Sequence, residues 1–347
     1  MAPRIVTRDD LAGAARAALG GGRRLERIER LRGGTSKGVY RLTMDDVTTA
    51  IAYLWEASEN YWPATEWDGN LADPFSPAAG FDLFEAARTR LDALGLRVPA
   101  LYLGDRDRTY YPADLAIIED VPGGDLMEFL ARDPRAAQPT MTRLAEALEA
   151  MRRYRAPAYG RVALVDGGGT SAGTSCEAVA LDFGLRCLAE AADRDRRVAS
   201  ARGPLEERLR SLAAAVRPRT EYSVVHGELG LDHVLVDRDG WPVLIDIEDL
   251  LYFDVEWEHV FLRLRLHADY RYVSVDGLDE DRLALYTLVQ RLSLTAGPLR
   301  LLDSDFPDRE FVQGIAEHNL TEALRWITGA APVTLTACCS QQCGTGT

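Results

Sequence analysis

Four acidic side chains and two histidines stand close together in this chain, in an order that suits acid–base and metal chemistry. The stretch HGELGLDHVLVD (226–237) carries His226, Glu228 and His233 between two apolar runs. RDGWPVLIDIED follows, a turn and then an apolar strand that ends on Asp246 and Glu248, with Asp254 eight residues after Asp246. A positioned carboxylate such as Glu228 orients a hydroxyl and accepts its proton. Magnesium takes hard oxygen ligands, one or two of them carboxylates, completed by phosphates. Asp246 suits that role; the alternative is a solvent-exposed acid closing a strand. Glu248 is a candidate second ligand, with capping or a salt bridge as the other reading. His233 is a poorer magnesium ligand, because imidazole is softer than oxygen donors. It is equally suited to hydrogen-bond Glu228 or a phosphate, or to face the core, and Asp232 beside it offers an oxygen instead.

The elements that must hold these groups can be read from periodicity. DDLAGAARAAL (9–19) has the pattern of a helix opened by an acidic cap. Short β-type runs flank GGTSKG (33–38), MDD makes a turn, and TTAIAYLW is an apolar strand. A long loop, 57–80, contains Trp, Pro, Asn and Gly; loops of this length inside a domain are usually functional. Trp55, Tyr61, Trp62 and Trp67 are expected to gather as an aromatic cluster beside a cleft, with core packing as the alternative for Trp55. FDLFEAARTRLDALGL is an amphipathic helix with Leu83, Phe84, Ala87, Leu91 and Leu94 on one side. VPALYLGD and ADLAIIEDV read as strands, the second too apolar to be an edge. Beyond VPGGD, helical patterns dominate. A β-rich front and a helical back predict a two-lobed α+β plan with its cleft near Val121 to Gly124.

Taken together, HGELGLDH, IDIEDLLYFD, GGTSKG and IIEDVPGGDL resemble the aminoglycoside phosphotransferase and choline kinase-like family, whose pattern is HGDxxxxN followed by IDxxxxxxxD. The resemblance covers about residues 25 to 327 by order of elements and implies a bilobal protein-kinase-like fold. A small β-rich lobe (1–120) would bind nucleotide, and a larger helical lobe (121–330) would carry the catalytic loop and metal site. It implies ATP and Mg2+ as cofactors and transfer of a phosphoryl group to a hydroxyl. On this pattern His226 and Gly227 match, Asp246 is the metal-binding aspartate and Asp254 the closing one. Gly33, Gly34, Thr35, Ser36 and Lys37 would cover the nucleotide phosphates, and Glu119 and Val121 would offer backbone groups to adenine. Glu85 holds the helix position that pairs with a strand lysine. The sequence departs from the family in three places. Glu228 stands for aspartate, His233 for asparagine, and the strand TTAIAYLW has no lysine, which leaves Lys37 to lend its ammonium or to remain an exposed loop residue. These departures also fit a different class of protein, a pseudokinase that binds a peptide or partner and does no chemistry.

Composition sets outer limits. The chain has 347 residues, 47% hydrophobic and 27% charged, with a net charge of −14. That balance disfavours nucleic acid, whose phosphates need a basic face. No apolar run approaches the ~20 residues that span a bilayer, and no secretory h-region opens the chain, so a cytoplasmic location is expected. The end of the chain, TLTACCSQQCGTGT (334–347), combines hydroxyl residues with three of the five cysteines. It is similar to the core of a lanthipeptide-type precursor, and kinase-like proteins of this family act in such RiPP biosynthesis. A tail at 331–347 would then be a flexible substrate, with a lyase partner to eliminate phosphate; the other reading is a disordered terminus with incidental cysteines. The acceptor is therefore a peptide hydroxyl or a small natural product such as an aminoglycoside.

Overall fold

The structure is a computed structural model that describes residues 6–31, 34–62 and 69–328. Gly33, Trp67 and the tail at 331–347 lie outside the described residues. In the front part, helix α1 (Arg8–Leu19) precedes strands β1 (Leu25–Arg30), β2 (Gly38–Met44) and β3 (Thr49–Trp55). Helix α2 (Phe81–Ala93) then leads to β4 (Leu101–Asp105) and β5 (Asp114–Glu119). The five strands form one antiparallel sheet in the order β1-β2-β3-β5-β4. Strand β5 is interior, as its unbroken apolar run predicted. Its side chains alternate between two covered faces. Leu115 and Ile117 pack toward α1, in a cluster with Leu11, Ala14 and Ala15. Ala116 and Ile118 belong to the core that holds Phe81, Phe84, Ala87 and Leu91 of α2. The cap of α1 is Thr7, which exchanges hydrogen bonds with Asp10, so the acids read as a cap form its first turn.

The back part is mainly helical. It contains α3 (Leu126–Arg132), α4 (Pro134–Arg153), the short β6 (Gly160–Arg161), α5 (Val162–Asp166), α6 (Cys176–Arg194) and α7 (Arg196–Ala215). Strands β7 (Ser223–Val225), β8 (Val234–Val236), β9 (Pro242–Leu244) and β10 (Leu251–Phe253) come next. Helices α8 (Val255–Leu266), α9 (Glu280–Leu301) and α10 (Arg309–Thr328) complete it. The small sheets β6-β10-β7 and β8-β9 carry the chemistry-bearing loops at their ends. Between the two parts, the connection after β5 passes so close to β8 that a Cβ on Gly123 would sit 1.9 Å from the Val236 carbonyl oxygen. Only glycine allows that approach. Among the described residues, no helix is long and apolar enough to cross a membrane.

The long connection from β3 to α2 does not hang free, and it overturns the expected aromatic cluster. Trp55 packs with Tyr53, Phe81 and Phe84. Tyr61 instead meets Phe306 edge-on, and Trp62 lies near Gly297 under the Arg300 guanidinium. Farther along, Phe75 stacks on Phe183 at 4.6 Å, Asp73 pairs with Arg186 at 2.7 Å, and the Ser76 carbonyl accepts from Arg161 at 2.5 Å. The described residues of the segment thus strap the sheet to the helical part.

Asp254, matched by sequence to the closing aspartate, is a buried structural anion. Its Oδ2 accepts from Arg282 Nε at 2.8 Å and from the Tyr286 hydroxyl at 2.6 Å, and Arg282 is 1% exposed. Removing one partner of such a pair leaves an uncompensated buried charge. Arg282→Met is therefore expected to cost about 3–5 kcal/mol of folding stability, read from the shift of a urea unfolding midpoint. A loss below about 1 kcal/mol, as for an exposed pair, would refute this assignment.

Candidate active site

The loop after β7 is held from beneath. Gly227 has φ +90, a left-handed conformation that glycine adopts without strain. The Glu258 carboxylate, buried in the first turns of α8, accepts from the backbone N–H of His226 and, at 3.2 Å, from that of Gly227. Burial raises this carboxyl to about 7, and the two N–H donors pull against the rise. The His226 ring is also internal. Its Nε2 meets the Ile245 carbonyl oxygen at 2.9 Å, which fixes Nε2 as the protonated nitrogen. Burial, reinforced by neighbouring His233, lowers its pKa to about 4, so it is neutral. His226, expected among the catalytic residues, is 1% exposed and ties the loop to the segment leading into Asp246.

The other candidate groups lie beside this support. His233 Nδ1 lies 3.0 Å from the Glu228 carbonyl oxygen and must therefore carry the hydrogen, leaving Nε2 as the free nitrogen. That nitrogen is 3.8 Å from Asp246 Oδ2. The Glu228 side chain is exposed to the cleft and accepts no hydrogen bond among the described residues. Protein crowded around it desolvates the carboxyl, and Asp249 and Asp246 add repulsion, so its pKa rises to about 7. Asp246 sits at φ +59, a strained conformation for a non-glycine residue, and Lys37, more than burial, decides its carboxyl, which is held far below the usual range.

Lys37 answers the missing strand lysine. It reaches back from the glycine turn, 5% exposed, and its Nζ donates to Asp246 Oδ1 at 2.7 Å and to Glu248 Oε1 at 2.6 Å. The Tyr53 ring lies 4.9 Å from the ammonium on another side. Burial opposes the charge, but Asp246 and Glu248 outweigh it and hold the amine protonated. Burial also lifts the Glu248 carboxyl, against the pull of Lys37. The turn and the IDIED loop thus supply a buried lysine–glutamate pair between them. Glu85 takes no part: its carboxylate accepts from Arg106 at 2.8 Å on the outer face of α2, because helical spacing fixed its place along the chain but not the direction it faces. Asp232, a candidate oxygen donor, is claimed by Arg265 at 2.5 Å.

The oxygens of Asp246 and Glu248 already converge on one cation, and hard oxygens are what magnesium takes, so these two residues fit that ion. Among the described residues, no three His, Cys, Asp or Glu side chains form a metal cluster. The glycine turn is braced by Tyr61, whose N–H donates to the Thr35 carbonyl at 2.9 Å; Gly34, Thr35 and Ser36 are half-buried. At the crossing between lobes, Glu119 spends its carboxylate on Arg97 at 2.7 Å. The Val121 N–H makes no backbone hydrogen bond among the described residues. Glu258 and Arg161, which carries Asp249 at 2.5 Å, were not found from sequence. A buried acid within VEWEH was the one signal available.

Comparison with known proteins bears on the fold that carries these groups. The family model described as "phosphotransferase enzyme family" matches residues 27–292. No curated protein matches the chain. Among solved structures, spectinomycin phosphotransferase APH(9)-Ia in complex with ADP and spectinomycin superposes with a TM-score of 0.62 at 10% identity, covering 93% of this chain and 99% of that one. A thermostable mutant of aminoglycoside phosphotransferase APH(4)-Ia, in a ternary complex with AMP-PNP and hygromycin B, gives 0.57 at 16% identity, covering 90% and 98%. Choline kinase LicA from Streptococcus pneumoniae gives 0.54 at 13%, covering 88% and 94%. At these identities the likeness is one of fold, and it bears out the bilobal kinase-like α+β plan.

Proposed function

This chain belongs to the phosphotransferase enzyme family, and from that premise we propose that it transfers the γ-phosphoryl group of ATP to a hydroxyl of a small-molecule acceptor. The observation that carries the reading is the gathering of Lys37, Asp246 and Glu248 beside the loop that bears His233 and Glu228. Phosphoryl transfer asks a protein for placement and charge neutralisation more than for covalent chemistry. Glu228 orients the acceptor hydroxyl and takes its proton. Asp246 and Glu248 would hold magnesium, which neutralises phosphate charge when bound. Lys37 and the backbone N–H groups of residues 34–37 face the phosphates, Val121 offers its N–H to adenine, and His233 braces the Glu228 backbone carbonyl. The solved relatives named above hold spectinomycin or hygromycin B together with ADP or AMP-PNP, which favours a small acceptor over a peptide. The peptide and RiPP reading rests on the composition of 334–347, and the lyase partner rests on that reading. An inert pseudokinase loses one of its three arguments, the missing strand lysine, once a buried lysine reaches Asp246.

The test is incubation of the purified protein with Mg2+, ATP and a panel of amine-bearing alcohols, with a peptide of the 334–347 sequence as a further arm, read by product mass. Nucleotide binding without product in any arm would favour the pseudokinase. The pH dependence follows from the raised carboxyl of Glu228. Its basic form accumulates as pH rises, so kcat climbs about tenfold per unit at low pH. It levels off at an inflection between the ordinary carboxylate value and about 7, because the cleft side of the group remains in water. A kcat that is flat from pH 5 to 8 would remove the proton-accepting role.

A further inference from the structure

Lys37 does something that a fixed strand lysine could not. Its ammonium contacts one oxygen of each carboxylate assigned to the metal, at 2.7 and 2.6 Å. Those are the oxygens that would bind a divalent cation, and two cations cannot share them without strong repulsion. One of the two carboxylate charges at Asp246 and Glu248 is therefore already balanced from within the chain. Lys37 is also placed to move. It ends a turn between Gly34 and Gly38, its stem has four rotatable carbons, and the Tyr53 face at 4.9 Å keeps part of its surroundings favourable.

We propose that Lys37 is the resident counter-ion of the metal site: its ammonium occupies the Asp246 and Glu248 oxygens in the nucleotide-free protein and leaves them for the nucleotide phosphates when metal and nucleotide enter together. This deepens the phosphotransferase reading and rests on it for the identity of the site. The consequence is coupling. Divalent metal alone must displace the ammonium from both of its carboxylates, whereas phosphate arriving with the metal supplies a new anion for it. The site discriminates against free metal and orders the two ligands.

The experiment measures binding, without turnover. Mn2+ alone is titrated into the nucleotide-free full-length protein and into Lys37→Met, with free Mn2+ followed by electron paramagnetic resonance. Lys37→Met is expected to bind Mn2+ tighter by about tenfold or more, within the usual range of coupling between sites. Adding Asp246→Asn to either protein should remove that binding. Unchanged or weaker affinity in Lys37→Met overturns the proposal. Binding indifferent to Asp246→Asn would instead fell the metal-site reading, and this inference with it. Tight Mn2+ binding without phosphorylation of any acceptor would leave the proposal standing and count against the catalytic reading alone. Should Lys37→Met fail to fold, the wild-type protein serves. The Nζ resonance of Lys37 in 15N-lysine protein, assigned by its loss in Lys37→Arg, should shift when Mg2+ and a non-hydrolysable ATP analogue are added. A resonance that does not move overturns the proposal.

Discussion

Glu228→Gln is expected to phosphorylate acceptor about 10²–10⁴-fold more slowly than the parent, with nucleotide affinity and melting temperature almost unchanged. The substitution keeps length and shape and removes only the charge and the basic lone pairs. Nothing else depends on them: the carboxylate is exposed to the cleft, and the bond that positions this stretch uses the Glu228 backbone carbonyl. The aspartate of the family pattern makes a second comparison. Glu228→Asp withdraws the carboxylate by one methylene, and a misplacement near 1 Å costs about 10²-fold. An acceptor pocket matched to the longer side chain therefore predicts that Asp is slower than Glu here, although the family carries Asp. Steady-state kcat, read beside ATP affinity from calorimetry, decides both. A Glu228→Gln protein as fast as the parent would leave Glu228 with no part in the reaction.

What the sequence made legible depended on how local the cause was. Strand β5 could be placed in the interior because an unbroken apolar run needs cover on both faces, and α1 and α2 provide it. Asp246 and Glu248 could be named from the IDxxxxxxxD pattern and the apolar run before it, although the expected strand stops at Leu244 and both residues lie in the loop beyond it. Lys37 could be nominated only by absence: β3 brings no cation, and one lysine stood in the neighbouring turn. Its burial and its two carboxylate partners lie more than 200 residues away along the chain. Glu258 was hidden for the same reason, since its role is defined by two N–H groups from a distant turn. Glu85 and the aromatic residues of the β3–α2 connection failed differently. Spacing gave their order, but the roll of a helix and the path of a loop are set by packing. The strap that carries Tyr61 to Phe306 and Phe75 to Phe183 exists because the helical part offers those rings.

Asp246→Asn should produce the other large loss, with a different signature. Asparagine tolerates left-handed backbone nearly as well as aspartate does, so φ +59 is no obstacle and the fold survives. What disappears is the charge that dominates this end of the cleft. Lys37 keeps Glu248 as its partner, and the metal is left with one carboxylate. Metal-ion stabilisation of developing charge is worth several kcal/mol, about a thousandfold or more in rate. Raising Mg2+ should recover part of that loss, whereas Glu228→Gln should not respond, because its defect lies in the acceptor's proton. Titrating activity against Mg2+ in the two variants separates the roles. If Asp246→Asn keeps parental activity at low Mg2+, the metal is held elsewhere, and the pairing of Lys37 with Asp246 belongs to the architecture of the lobes, not to catalysis.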